Sequence, residues 1–306
     1  MSATLGSDGM LSPTPAAGGA RVSISQQTAR RGDVRQPETY ASVGQVYGFV
    51  VLTFALTWGL WIPVLLAEPD AGPGPLIVGG FGPVLAAAIM VRVGGGKVWP
   101  WLRSILVFRV PASRYVAAVG IPVAFVAVQL AVAAATGTPV AFGDLLSGLL
   151  GFVAVFVPLA LVGGGQEEFG WRGWLQPALQ ERWTPLGAAV AIGCVWAAWH
   201  EPLFWADAAY ADVVAVFYVP SIVALSVIIA FLWNRSRQSV VIAIVFHASF
   251  NASGELFVVG EQATATDVQF VAQAALAAIS VAVALALAIK HGGALGRPVQ
   301  DAAPIA

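Results

Sequence analysis

Eight apolar stretches of about twenty residues each dominate this sequence and leave few folds open to it. They run over 47–66, 75–93, 115–135, 145–165, 186–204, 213–233, 240–259 and 270–289. A helix of roughly 20 residues covers the ~30 Å hydrocarbon core of a bilayer. These stretches are apolar on every face, unlike the surface helices of a soluble protein. Only 10% of the residues are charged, against about 25% in a soluble domain, so lipid must serve as part of the solvent. The expectation is an all-α, polytopic membrane helix bundle of about eight transmembrane helices.

The loops predict the orientation. All 15 Lys and Arg residues fall before the first stretch or in every second loop after it: Arg21 to Arg35, Arg92 to Arg114, Arg172 and Arg182, Arg235 and Arg237, Lys290 and Arg297. The alternate loops carry only acids, such as Glu68, Asp144, Asp212 and Glu255. The positive-inside rule then puts both ends in the cytoplasm. Residues 1–42, rich in Ser, Gly, Pro and Arg, are too polar to bury a core and read as a disordered cytoplasmic tail. Residues 43–292 form the membrane domain and 293–306 a short second tail. A net charge of −1 argues against nucleic acid as a partner, because a phosphate backbone selects a basic face. The single cysteine, Cys194, excludes an internal disulfide and reads as a packing residue. Arg in place of Lys, with abundant Ala, Gly and Val, points to a GC-rich bacterium and so to its inner membrane.

Polar groups inside membrane spans are costly and are functional candidates by default. Three clusters qualify. The first is Gln166-Glu167-Glu168-Phe169-Gly170-Trp171-Arg172. On a helix Glu168 and Arg172 share a face, with the acid before the base, which is the favourable order for an ion pair. Glu167 is rotated about 100° away and has no such partner, so it is the better candidate for a reactive carboxylate. Both acids would otherwise be ordinary interfacial groups reaching for water. The second cluster is Trp196-Ala-Ala-Trp199-His200, and the third is His247-Ala-Ser-Phe-Asn251. A lone histidine in a membrane helix often does no more than hydrogen-bond a neighbouring helix. Two histidines, an amide and an unpaired glutamate on three helices suit proton transfer, metal binding or stabilisation of an oxyanion.

These motifs, Glu167-Glu168-x-x-x-Arg172, Trp196-x-x-x-His200 and His247-x-x-x-Asn251, resemble those of the CPBP family of intramembrane proteases (CAAX proteases and bacteriocin-processing enzymes, also called Abi). Trp196 stands where Phe is commoner. The resemblance covers 145–256. It implies an eight-helix bundle with a catalytic cavity facing the cytoplasmic leaflet and a membrane-associated peptide or lipidated protein tail as substrate. It further implies Glu167 as the base that activates a water and His200 as the group that holds that water. His247 and Asn251 would polarise the scissile carbonyl, with Glu168, Arg172 and Trp196 bracing the site. Zinc is compatible with the set, because His200, His247 and Glu167 supply the three ligands of a typical catalytic site, but Glu-activated water needs no metal. The competing readings are a non-catalytic immunity or adaptor protein on the same scaffold, and a transporter. The lack of an internal repeat and the scarcity of polar residues in the outer half of the spans weigh against transport.

Depth sets one further condition. His200 lies about 14 residues into its stretch, roughly 20 Å deep at 1.5 Å per residue. Glu167 can meet it only if the fourth helix continues past Gly165, through Trp171 and Trp174 to about Leu179. Trp171, Trp174 and Trp183 would then suit an interfacial aromatic belt.

Overall fold

The computed structural model describes residues 41–68, 73–137, 140–141, 145–204, 208–256, 258–259 and 265–298. The expected N-terminal tail lies outside them up to residue 40, as does the C-terminal tail from residue 299. In chain order the helices are α1 (Val43–Ala67), α2 (Pro73–Gly79), α3 (Gly82–Val93), α4 (Val98–Ile105), α5 (Ala112–Ala135) and α6 (Leu145–Val162). They continue as α7 (Glu168–Gly170), α8 (Gln176–Gln180), α9 (Pro185–Trp199), α10 (Ala208–Asn234), α11 (Val240–Ala252) and α12 (Ala265–His291). Among the described residues the strand content is one antiparallel pairing, Val140–Ala141 with Val258–Val259.

The result is a helical membrane bundle. Each of the eight expected stretches is largely helical among the described residues, and six of the helical runs are long and apolar enough to cross a bilayer. The other two are α9, with 15 residues, and α11, with 13. At 1.5 Å per residue each falls short of ~30 Å, so length by itself supports six crossings. The short helices occupy protected positions. α11 packs on α5, α6 and α10, and α9 packs on α10. Nine of the 13 residues of α11 are buried, from Val240 to Ala252.

Local chemistry sets the helix ends. Ser42 and Gln45 form a reciprocal capping box at the start of α1, which satisfies two backbone donors. Thr184 caps α9, with Pro185 as its first residue, where a missing N–H costs nothing. Along α1 only Phe49, Thr53, Thr57 and Trp61 are buried; this four-residue repeat forms one inward stripe, while Tyr47, Val51 and Leu66 are exposed. α6 faces lipid more fully, with Leu150, Val153 and Leu161 each more than 60% exposed. Exposed apolar surface on this scale marks a bilayer-facing wall.

The basic loops gather at one end. Arg237 donates to the Arg109 carbonyl, Arg297 to the Gln180 carbonyl and Asn234 to the Leu295 carbonyl. Residues 107–109, 180–184, 234–239 and 293–297 therefore share one face of the bundle.

Close packing at α9 and α10 rests on a missing side chain. A Cβ on Gly193 would lie 2.7 Å from the Val223 Cα. Small residues give membrane helices this kind of approach. Gly193→Leu is expected to destabilise the protein by about 1–3 kcal/mol through overpacking, seen as a lower unfolding temperature in detergent. Gly120→Leu should leave that temperature unchanged, because nothing lies within 4 Å of its Cβ position.

Candidate active site

The site starts where α6 breaks. Gly163-Gly164-Gly165 follows its last turn, and Gly164 adopts φ +122°, a conformation that L side chains rarely enter. The chain then re-enters helix as a 3₁₀ turn (Gly165–Glu167), α7, a widened π-helical turn (Trp171–Leu175) and α8. The run from Leu146 to Gln180 is thus helical almost throughout and carries Glu167 into the protein, as the depth condition required. Single π turns recur at functional sites because they re-aim side chains; this one holds Arg172.

The two neighbouring carboxylates diverge. Glu168 is fully buried, and so is Arg172, whose guanidinium lies 3.1 Å from it across one helical turn. Arg172 also donates to Ser226 Oγ on α10 at 3.1 Å, and Ser226 in turn donates to the Ala189 carbonyl on α9. His247 Nδ1 lies 2.9 Å from Glu168 Oε1. A carboxylate paired with Arg172 can only accept, so Nδ1 carries the proton there. Glu168 is therefore bound to His247 as well as to Arg172, a link the sequence did not reveal.

Glu167 takes the other direction. Its Oε2 accepts from the Trp196 indole at 2.9 Å and from the Trp171 indole at 3.4 Å. The Trp196 ring lies beneath the Arg172 guanidinium, 5.2 Å from centroid to Cζ, a cation–π arrangement. One tryptophan thus braces both the carboxylate and the cation. His200 caps the C-terminal end of α9, with Nδ1 2.9 Å from the Trp196 carbonyl. A carbonyl only accepts, so Nδ1 carries this proton too, and Nε2 keeps its lone pair. Trp58 donates to the Trp199 carbonyl, and Trp61 packs on Trp199. Two tryptophans of α1 thereby support the turn that carries His200.

Glu167, His200, His247 and Asn251 line one cavity of about 160 Å³, together with Trp196, Tyr218, Ile222, Leu225, Ile229, Phe246 and Phe250. At ~30 Å³ per water in the liquid, that volume suits several waters or the atoms around one peptide bond. Seven of these eleven lining residues are apolar or aromatic. Asn251 donates one amide hydrogen to the Gly163 carbonyl at 2.9 Å, which fixes its orientation and leaves the second N–H. Among the described residues, no three His, Cys, Asp or Glu side chains converge as metal ligands would. No step below is routed through a metal.

Several sequence expectations are amended. Trp171 and Trp174 are buried against Phe49, with the Trp174 ring stacked on it at 5.0 Å; they form no interfacial belt, because the helical run that carries them turns inward. Trp183 is exposed. Cys194 is exposed on α9 rather than packed. Sequence reading also missed Ser226, Trp58, Trp61 and the three glycines, of which only the consecutive glycines gave a visible signal.

A buried ion pair in a low-dielectric interior is most sensitive to loss of one member. Arg172→Leu is expected to destabilise the protein by about 3–5 kcal/mol, measured by unfolding in detergent. The double variant Glu168→Gln/Arg172→Leu should cost less, because it leaves no bare carboxylate.

Comparison with known proteins adds two likenesses. The family of type II CAAX prenyl endopeptidases described as Rce1-like matches residues 149–253. A protein of Methanococcus maripaludis called CAAX prenyl protease 2 is 29% identical over 154 residues. The alignment covers 45% of this chain and 57% of that protein, so the match spans a little over half of the relative. Glu167, Glu168, Arg172, Trp196, His200, His247 and Asn251 all lie inside the matched family segment.

Proposed function

We propose that this protein is an intramembrane endopeptidase, a reading supported by the match of residues 149–253 to the Rce1-like family. Its substrate is a membrane-associated peptide or protein tail, and Glu167 activates the water that cleaves it. The observation that carries the reading is the placement of a buried carboxylate, held by two indoles, in one small cavity with two histidines and an amide.

The chemistry follows from the free positions. Water in the cavity donates one hydrogen to Glu167, and the His200 Nε2 lone pair accepts the other. Glu167 takes the proton as the oxygen attacks the scissile carbonyl carbon. Charge develops on the carbonyl oxygen, where the second Asn251 N–H and the His247 ring can meet it; donors placed in advance are worth most in a water-poor site. The C–N bond then breaks, and the proton held by Glu167 passes to the leaving amine. Glu168 and Arg172 take no proton; they hold His247 in one orientation.

The relative's name suggests a prenylated tail as the substrate class, and a bacteriocin or immunity peptide is the alternative. We place the basic face in the cytoplasm, with eight crossings in a bacterial inner membrane, on the charge pattern of the loops. Zinc belongs to the same test. A second assignment of roles rests on the Glu168–His247 contact, which is also how a carboxylate orients a basic imidazole; there His247 would be the base and Glu167 an electrostatic support.

The test is cleavage of a fluorogenic prenylated-tail peptide, and of an unprenylated library, by purified protein in detergent. Glu167→Gln, His200→Ala and His247→Ala are each expected to lower kcat/KM by roughly 100-fold or more, the scale of a lost general base or oxyanion donor. Activity that survives Glu167→Gln and dies with His247→Ala would move the base to His247. A chelator that abolishes wild-type cleavage would make the enzyme a metalloprotease. An adaptor would cleave nothing and keep its cellular phenotype in all three variants.

A further inference from the structure

The helix break is built against the cavity, and the contacts of Gly164 show what it is for. A Cβ placed on Gly164 would lie 2.6 Å from His247 Nε2 and 2.8 Å from Asn251 Nδ2. Two nitrogens from α11, one turn apart, therefore pack side by side against the Gly164 Cα, closer than any side chain there would allow. Neighbouring glycines differ. A Cβ on Gly163 would meet Leu159 of its own helix, and one on Gly165 would meet the Ala160 backbone. Those two serve the turn, whereas Gly164 serves the site.

The same strand of chain orients one of the converging groups. Asn251 donates to the Gly163 carbonyl, and Gln166 Oε1 accepts from the Gly164 N–H at 2.9 Å. The amide of Asn251 is thus anchored one residue before Gly164. The Gly164 N–H is already occupied, so this residue offers the substrate no bond of its own.

We infer that Gly164 is a positioning residue: its lack of a side chain lets His247 and Asn251 pack against the chain break, where both nitrogens can meet the scissile carbonyl oxygen. The inference rests on the protease reading and deepens it. Any side chain at this position pushes the two donors away from that oxygen, so the cost falls on turnover more than on substrate binding.

The experiment begins with wild-type cleavage of the fluorogenic peptide. A silent wild type sinks the protease reading and this inference with it. With an active wild type, Gly164→Ala is expected to lower kcat at least ~100-fold, as does loss of one oxyanion donor. Binding of the uncleaved peptide, measured in the Glu167→Gln background, should change by less than about threefold, a ground-state effect separate from the transition state. In the Asn251→Ala background Gly164→Ala should cost under ~10-fold, because residues that act as a unit are non-additive. Gly163→Ala and Gly95→Ala control for strain: the first disturbs the same turn, and the second has positive φ with nothing within 4 Å of its Cβ position. A fully additive loss, equal losses in binding and turnover, or activity within about threefold of wild type would overturn the inference. If Gly164→Ala does not fold, a tetrahedral phosphinate peptide decides. Asn251→Ala should weaken the phosphinate at least ~100-fold and the substrate little; equal weakening would refute an oxygen bound by the Asn251 amide beside Gly164.

Discussion

The buried pair of Glu168 and Arg172 is the constraint on which the site depends. Two charges with no exposure are tolerable inside a membrane bundle only when they neutralise each other and most of their remaining hydrogens and lone pairs find partners. Ser226 and His247 supply such partners from two other helices, while Arg172 Nε and Glu168 Oε2 make no hydrogen bond. The pair therefore does more than neutralise charge: it ties α10 and α11 to the segment that carries Glu167. Hydrophobic attraction between helices is weak in lipid, so such polar links and close small-residue contacts specify the packing there.

The irregular backbone around the pair follows from the same demand. A straight α6 would carry the motif along a lipid-facing wall, since no side chain in the apolar part of that helix is buried. The glycine break and the π turn redirect the chain so that Glu167, Glu168 and Arg172 all point inward. The bend costs backbone hydrogen bonds, which lipid cannot replace. Gln166 and Asn251 recover two of them by bonding Gly164 and Gly163. The break is thus stable only in company with α11, and α11 can be short because it never faces lipid alone.

Much of this was legible in the sequence. The apolar stretches fixed the helices, and the i, i+4 spacing anticipated the Glu168–Arg172 pair as well as the separate direction of Glu167. The need for Glu167 to meet His200 anticipated that the fourth helix continues. What escaped detection was tertiary. Ser226 looks like any small residue of a membrane helix until Arg172 lies against it. Trp171 and Trp174 follow the rule for interfacial aromatics but are overruled by the inward turn of the chain. The positive φ of Gly164 has no signature beyond glycine itself, and glycine is common throughout this chain.

In the proposed reaction the two histidines divide their work by what holds them. Both are fixed at Nδ1 and present Nε2 to the cavity side. The holder of His200 is a neutral carbonyl at the end of α9, boxed by Trp199 and Tyr218; it can orient a neutral ring but cannot balance a second proton. The holder of His247 is a carboxylate, which can balance one. A ring limited to a lone pair suits water as a donor, and a ring able to carry a second hydrogen suits a developing oxyanion. The same imidazole thus serves opposite ends of the attack, one near Glu167 and the other beside Gly164. The assignment follows from the Nδ1 partners rather than from the histidines themselves.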